Sequence, residues 1–341
     1  MNKTAFLQGI KNFSLGNNEN VKKGVLVKIK VDSCAICGSD IRIFNHGNDR
    51  IKFPAIIGHE ISGTVVESKN KNFAIGDRIS LGADIPCGKC SECVNEKPNL
   101  CKKNLAIGYQ LEGGFSEYMN LDSRIFDNGP VVKIDDSLEL ELACLGEPLA
   151  CSINGLEKVF MRDGGRVLIF GAGPIGIMLG FLARHLHKAK KIDYVEVNQF
   201  RTKSLKNLEI ADHIFNNDEF LKQMNKLEGN YDYVFTACSI FETHGNGIKM
   251  LANGGAINFF GGLPKPSPSL ACITNDIHYK ELLLTGSHGS TPKQHAKAIK
   301  IIKNNQKFFK SLITHRFCLD EIEEAFDFAS SGEGIKVLIK P

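Results

Sequence analysis

The stretch Arg166-Val167-Leu168-Ile169-Phe170-Gly171-Ala172-Gly173-Pro174-Ile175-Gly176 decides the fold. Its first five residues form a short apolar run of the kind found in a strand buried on both faces. Three glycines spaced G-x-G-x-x-G follow, and a helix to about His187 comes next. The glycines permit a tight turn, a close approach of backbone to a pyrophosphate, and close helix–strand packing. The helix amino terminus adds partial positive charge for phosphates. By hydropathy Val167–Ala183 resembles a membrane span, but Gly171, Gly173, Pro174, Gly176 and Gly180 interrupt it. A span needs about 20 apolar residues in one helix.

Downstream, Ile192–Val197 is expected to be the next strand, ending near Glu196, which lies 20 residues after Gly176. A carboxylate there accepts from both ribose hydroxyls of a dinucleotide and repels a 2′-phosphate, which favours NAD over NADP. Arg201 could pair with that acid or with a phosphate, and a solvated strand end is the plain alternative for Glu196. Tyr231–Phe235 and Ala256–Phe260 read as further strands with helical material between them. Strands alternating with helices predict an α/β fold with a doubly wound parallel sheet.

Upstream the character differs. Val25–Val31 alternates apolar and charged side chains as a half-buried strand does, and Ile61–Val66 and Arg78–Leu81 are short strand candidates. Before Pro148 few segments show a long helical period, so this part reads as mostly β with long loops. Near the end, Thr291-Pro292 opens a helix to about Asn304, and Asp320 with Glu323 predicts a capping box for a helix over Glu321–Ala329. Ile335–Ile339 reads as a last strand.

Composition agrees with two domains, at about 150 residues each in a chain of 341. With 43% hydrophobic and 23% charged residues the chain can pack cores. The net charge of +4 (42 basic less 38 acidic) is too mild to imply nucleic acid, and no basic cluster interleaved with aromatics is present. Met1–Phe13 is polar and lacks the apolar core of an export signal, so a soluble cytoplasmic protein is expected, with no membrane partner. Eleven cysteines in a reducing compartment point to metal rather than to disulfides.

Four of them, Cys87-x2-Cys90-x2-Cys93-x7-Cys101, sit on one loop with Pro86, Gly88 and Pro98. Four thiolates close tetrahedrally on one Zn²⁺ and leave no open position, so this would be a structural site. An iron–sulfur cluster and four unrelated buried cysteines are the alternatives. Elsewhere Cys37-Gly38-Ser39-Asp40 and Gly58-His59-Glu60 supply a thiolate, an imidazole and a carboxylate from two loops, and Glu147-Pro148-Leu149 adds a carboxylate where the β-rich part hands over to the α/β part. Catalytic zinc takes three protein ligands and an exchangeable position. Each piece alone is more often a core residue than a ligand.

Taken in order, Cys37-Gly-Ser-Asp, Gly58-His59-Glu60, the four-cysteine loop, Gly76-Asp77-Arg78, Glu147-Pro148-Leu149 and the glycine loop resemble the zinc-dependent medium-chain dehydrogenase/reductase family over essentially the whole chain. The Glu147-Pro148 pair resembles the polyol and threonine dehydrogenase branch, where classical alcohol dehydrogenases carry cysteine. The resemblance implies a GroES-like catalytic domain over residues 1–147, completed by 286–341, and a Rossmann nicotinamide-binding domain over 148–285. It implies a catalytic zinc on Cys37 and His59, with Glu60 and Glu147 as direct or water-mediated partners; Cys144 and Cys151 are the rival ligands. Two zinc ions per chain are then expected, together with NAD held at Gly171, Gly173, Pro174, Ile175, Gly176, Glu196 and Arg201. Phe260–Leu263 and Thr285–Ser287 resemble the segments that approach the nicotinamide, with ordinary turns as the alternative.

The implied reaction moves a hydride between NAD(H) and a secondary alcohol or ketone, with a polyol or polyol phosphate as substrate and L-threonine as the alternative. Ser39 matches the family's relay hydroxyl. Arg42 stands where many relatives carry histidine, and it cannot act as a base. Arg42, His46, Arg50 and Lys52 place positive charge between the two ligand motifs, either toward a phosphorylated substrate or toward solvent. A zinc-independent alkene reductase and a non-catalytic relative are the competing functions. A homodimer or homotetramer is expected by resemblance, with a sheet edge near Ala256–Phe260 as contact.

Overall fold

The strand Arg166–Phe170 has those bounds in the computed structural model, which describes residues 2–18, 24–264 and 266–341. It belongs to one of two compact units, Cys151–His288; the other combines Met1–Ala150 with Gly289–Pro341. In the Cys151–His288 unit six strands pair in parallel, in the order His213–Phe215, Lys191–Val195, Arg166–Phe170, Tyr231–Thr236, Leu251–Phe259, Leu283–Gly286. The order reverses between Arg166–Phe170 and Tyr231–Thr236, and such a reversal opens a crevice at the carboxyl ends of the strands. Val167, Leu168, Ile169 and Phe170 are buried, which explains an apolar run without alternation. Leu168 and Phe170 pack with Phe215, Phe220, Val234 and Ile257 on one side. The helix Pro174–His187 lies close because Gly180 has no side chain: a Cβ there would sit 1.8 Å from the Tyr194 hydroxyl. That hydroxyl donates to Gly176 O at 3.0 Å.

The first unit is built on a seven-stranded sheet. Ile313–Cys318, Lys336–Lys340, Val25–Ala35, Glu60–Ser68, Arg78–Leu81 and Val131–Ile134 lie in that order, and Tyr118–Asp122 also pairs with Val25–Ala35. The long strand Val25–Ala35 therefore ties three others together. Its far end places Ala35 opposite both Glu60 and Leu338. Beneath the sheet Phe13, Phe44, Phe115 and Phe326 form an aromatic core, with ring centroids 5.0–5.6 Å apart.

Several expectations need correction. The first part holds a nine-residue helix, Gly38–His46, where a loop was expected. Its buried positions are Asp40, Ile43 and Phe44, a helical spacing that starts on a carboxylate and so escapes a hydrophobic scan. The capping box lies at Cys318 and Glu321, with Cys318 N donating to Glu321 Oε2 at 2.8 Å. Asp320 instead pairs with Lys3, and Glu323 accepts from Phe13 N at 3.1 Å, so both carboxylates pin the amino-terminal hairpin; the helix proper is Ile322–Ser331. The strand expected at Ile192–Val197 ends at Val195. Ala256–Phe260 is no sheet edge: Leu251–Phe259 is flanked by Leu283–Gly286, so Thr285 and Gly286 are strand rather than turn, and Leu283, 37% exposed, is on the edge strand. Among the described residues no helix is long and apolar enough to cross a membrane.

Candidate active site

Two groups of soft and charged donors assemble in the first unit. In one, the sulfurs of Cys87, Cys90, Cys93 and Cys101 lie within 4.8 Å of one another. Cys90 Sγ is 3.5 Å from Cys93 Sγ and 3.7 Å from Cys101 Sγ. Four sulfurs about 2.3 Å from one tetrahedral zinc stand about 3.8 Å apart, whereas a disulfide needs about 2.05 Å. The spacing suits a shared metal ion, and all four are free thiols. The local chain enforces it. Gly88 has φ +74°, and a Cβ there would lie 2.1 Å from Asn128 Oδ1, so the turn between Cys87 and Cys90 demands glycine. Hydrogen bonds from backbone, chiefly at Lys89, bring the Cys87 thiol down to about 6, while burial pushes Cys93 up to about 12.

In the second group the donor atoms of Cys37, His59 and Glu60 lie within 4.8 Å of one another. Cys37 caps the helix Gly38–His46, which puts Ser39 and Asp40 in its first turn, and His59 directly precedes the strand Glu60–Ser68. Gly58 has φ +92°, and a Cβ there would meet Cys34 Sγ at 2.7 Å. The buried Asp40 brackets both motifs: Oδ2 accepts from Cys37 N at 2.9 Å, and Oδ1 lies 3.2 Å from His59 Nδ1. Burial by itself would lower the His59 pKa; the charge of Asp40 and the Cys37 sulfur outweigh it and hold it well above the usual range. With Nδ1 turned to a carboxylate, Nε2 is the nitrogen left for a metal. Ser39 Oγ is 3.5 Å from that nitrogen.

Glu60 is fully buried and pairs through Oε2 with Lys336, itself only 2% exposed, whose Nζ also donates to Ile36 O at 3.3 Å. Burial would lower the Lys336 pKa, but the negative charge of Glu60 and Cys37 raises it above the usual range. Glu60 Oε1 has no hydrogen-bond partner among the described residues. A buried, unpaired carboxylate oxygen beside a thiol and an imidazole is the donor chemistry of a divalent-metal site.

Glu147 stands outside this group, in the first turn of Gly146–Lys158. Burial chiefly, with Glu60 and Asp84 adding and His59 opposing, pushes its carboxyl up to about 7. Cys144 and Cys151 belong to neither donor group. Arg42 and His46 are exposed on the helix Gly38–His46. Lys336 and Tyr109 escaped the sequence. The Tyr109 ring centroid is 6.0 Å from that of His59, and burial raises its phenol pKa above the usual range. Lys336 lies 276 residues from its partner, so no local signal could have found it.

In the Cys151–His288 unit the three glycines of the loop have different surroundings. Gly171 has φ +94°; a Cβ on Gly176 would sit 2.0 Å from Gly171 O; Gly173 faces open space, its nearest neighbour Arg201 Nη1 at 3.8 Å. Pro174 opens the helix, and Ile175 and Gly176 complete its first turn, which has no side-chain cap. Glu196, 6% exposed, accepts from Ala172 N at 2.6 Å through Oε2 and from Val197 N and Asn198 N at 2.8 Å through Oε1. A carboxylate offers about four acceptor sites, so it holds the loop with capacity left for a hydroxyl. Arg201 Nε is buried and has no hydrogen-bond partner among the described residues. An unpaired guanidinium donor beside an uncapped glycine-rich helix start fits a dinucleotide phosphate. Ser287 Oγ donates to Asn258 Oδ1 at 2.9 Å, and Gly261 approaches Cys238, where a Cβ would lie 2.3 Å from the carbonyl oxygen.

Residues 23–134 match the alcohol dehydrogenase GroES-like domain family, and residues 174–304 match the zinc-binding dehydrogenase family. The chain is 29% identical over 321 residues to a sorbitol dehydrogenase of Halalkalibacterium halodurans, covering 92% of this chain and 91% of that one. It is 30% identical over 322 residues to an L-threonine 3-dehydrogenase of Pseudoalteromonas atlantica, covering 92% of each. A crystal structure described as a zinc-binding dehydrogenase from Sinorhizobium meliloti bound to NADP superposes with a TM-score of 0.91 at 26% identity, covering 100% of this chain and 99% of that one.

Proposed function

The chain belongs to the zinc-dependent medium-chain dehydrogenase family, in its polyol and threonine branch, and from that premise we propose that it oxidises a polyol-like secondary alcohol with NAD, or reduces the matching ketone. The observation that carries this proposal is the Cys37–His59–Glu60 donor group with its unpaired Glu60 oxygen. Cys37 and His59 would hold the catalytic zinc, Glu60 and Glu147 serve it directly or through water, and Cys87, Cys90, Cys93 and Cys101 hold a structural zinc. When bound, zinc supplies the Lewis acidity that makes a substrate hydroxyl acidic near neutral pH, and nicotinamide supplies the hydride acceptor.

The side chains do the rest. Asp40 fixes the His59 ring and the Cys37 backbone together. Lys336 neutralises Glu60 and occupies its Oε2. Ser39, 3.5 Å from His59 Nε2, would pass the substrate proton outward. The Met1–Ala150 and Gly289–Pro341 unit is then the catalytic domain, and Cys151–His288 the nicotinamide domain, with Gly171–Gly176, Glu196 and Arg201 as the cofactor loop. NAD is preferred over NADP because the Glu196 carboxylate would repel a 2′-phosphate. We place the protein in the cytoplasm on the strength of its free thiols. The edge strand Leu283–Gly286 offers a homo-oligomer contact in place of Ala256–Phe260.

L-threonine is the second substrate reading, favoured by the relatives that bear that name. Reduced-nicotinamide absorbance with a panel of polyols and L-threonine, each with NAD and NADP, tests both, alongside zinc analysis. Turnover of a secondary alcohol that disappears with the zinc is expected. Full turnover after metal stripping would overturn the zinc assignment, and faster turnover with NADP would overturn the Glu196 assignment.

A further inference from the structure

The first unit holds a cavity of about 500 Å³ whose lining includes Phe6, Arg50, Lys52, Tyr109, Gln110 and Glu112. Its charged lining residues are Arg50, Lys52 and Glu112. The Arg50 guanidinium is fixed in place: it stacks 4.6 Å from the Tyr109 ring centroid and donates through Nη2 to Gln110 Oε1 at 3.1 Å. Its other donors are uncommitted to any hydrogen bond described in the structure, and a planar fork matches a carboxylate or phosphate. Tyr109 lines the cavity beneath Arg50, and its ring centroid is 6.0 Å from that of His59. The cavity thus lies one aromatic ring away from the Cys37–His59–Glu60 group.

We propose that this cavity is the anion subsite of the enzyme, in which Arg50, aided by Lys52, receives the terminal phosphate or carboxylate of an alcohol whose carbinol carbon lies at the Cys37–His59–Glu60 group. The subsite rests on the dehydrogenase function proposed above and names its substrate class. Of the four basic residues between the two ligand motifs, Arg50 and Lys52 line the cavity; Arg42 and His46 do not.

The test compares kcat/KM for two matched pairs, a sugar alcohol against its terminal phosphate and L-threonine against its neutral amide. The wild-type enzyme should favour the charged member of one pair by about 10- to 100-fold, the range for a charge-assisted hydrogen bond, and the favoured pair identifies phosphate or carboxylate as the anion. Arg50→Ala should collapse that ratio mainly through KM. Arg50→Lys, which keeps charge without the fork, should retain part of it, and Arg42→Ala should leave it in place. Equal use of charged and neutral substrates, or a ratio that survives R50A/K52A and falls in R42A, would overturn the subsite.

A second readout needs no turnover. Calorimetric titration of the zinc-loaded protein with inorganic phosphate and with acetate should show a binding event missing from R50A/K52A; any phosphate held at the Arg201 loop is common to both proteins and cancels. Identical binding in the two proteins overturns the proposal. Failure of every alcohol with a binding event that still depends on Arg50 would break the dehydrogenase function and leave the anion site standing.

Discussion

The sulfurs of the Cys87–Cys101 group come from one continuous loop, whereas the Cys37–His59–Glu60 group draws on two stretches of chain and depends on Asp40 and Lys336 for its charge balance. The first is uniform, closed and largely self-supporting. The second mixes a thiol, an imidazole and a carboxylate, buries all three partly or wholly, and leaves one carboxylate oxygen unpaired. A site that only braces a loop can be built locally. A site that must exchange a ligand needs its residual charge tuned by groups from elsewhere in the fold.

The largest effect should come from Cys37→Ser, with kcat/KM falling by about 1000-fold or more as the transferable ligand set is lost. Metal analysis should show one zinc gone and the other kept. Loss of both ions would break the contrast, because it would make the two groups one cooperative unit. Next, Cys93→Ser should remove the other ion and cost about 4 kcal/mol of stability in denaturant unfolding, with proteolytic nicking confined to the loop around residues 87–101. If activity fell before stability, the loop would have to serve chemistry as well.

Lys336→Met should destabilise by about 3 kcal/mol, because it strands the Glu60 carboxylate in a dry interior. Zinc content at the cysteine loop should not change, and chemical unfolding with metal analysis checks both statements. The smallest effect concerns pH. His295 is buried, shares a 2.9 Å contact with Ser80, whose hydroxyl donates to Ala143 O, and its ring nitrogen Nδ1 has no partner among the described residues. Burial lowers its pKa to about 4. The unfolded chain binds that proton below about 6.5, so stability is complete above that pH and declines down to about 4, by about 2–3 kcal/mol. His295→Gln should flatten this part of the profile. A profile unchanged by the substitution would show that the acid sensitivity lies elsewhere.

How far each region could be foreseen follows the same divide. The cysteine loop and the glycine loop are legible because their chemistry is local: ligand spacing and a turn's steric demands are written in consecutive residues. Strand Arg166–Phe170 announces itself for the same reason, being buried on both faces. Asp40 was visible only as part of a motif, since its two roles, toward Cys37 N and His59 Nδ1, need the helix and the strand placed first. Lys336 and Tyr109 carried no signal at all, because their partners are supplied by sheet pairing and loop packing. The same tertiary competition moved the capping box, when Asp320 and Glu323 were taken by Lys3 and Phe13, and moved the sheet edge from Ala256–Phe260 to Leu283–Gly286.

The 276 residues between Glu60 and Lys336 also set a clock. Synthesis runs at about 5–20 residues per second, so Glu60 leaves the ribosome roughly 15–55 s before its counter-charge exists. During that interval the carboxylate cannot enter a dry interior at reasonable cost, and the strand that carries it has no reason to settle. The four-cysteine loop, whose donors emerge within a few seconds of one another, faces no such delay. If the two groups take the ions proposed above, the cysteine loop has all its donors long before Lys336 is made, whereas the Cys37–His59–Glu60 group must wait for the closing strand.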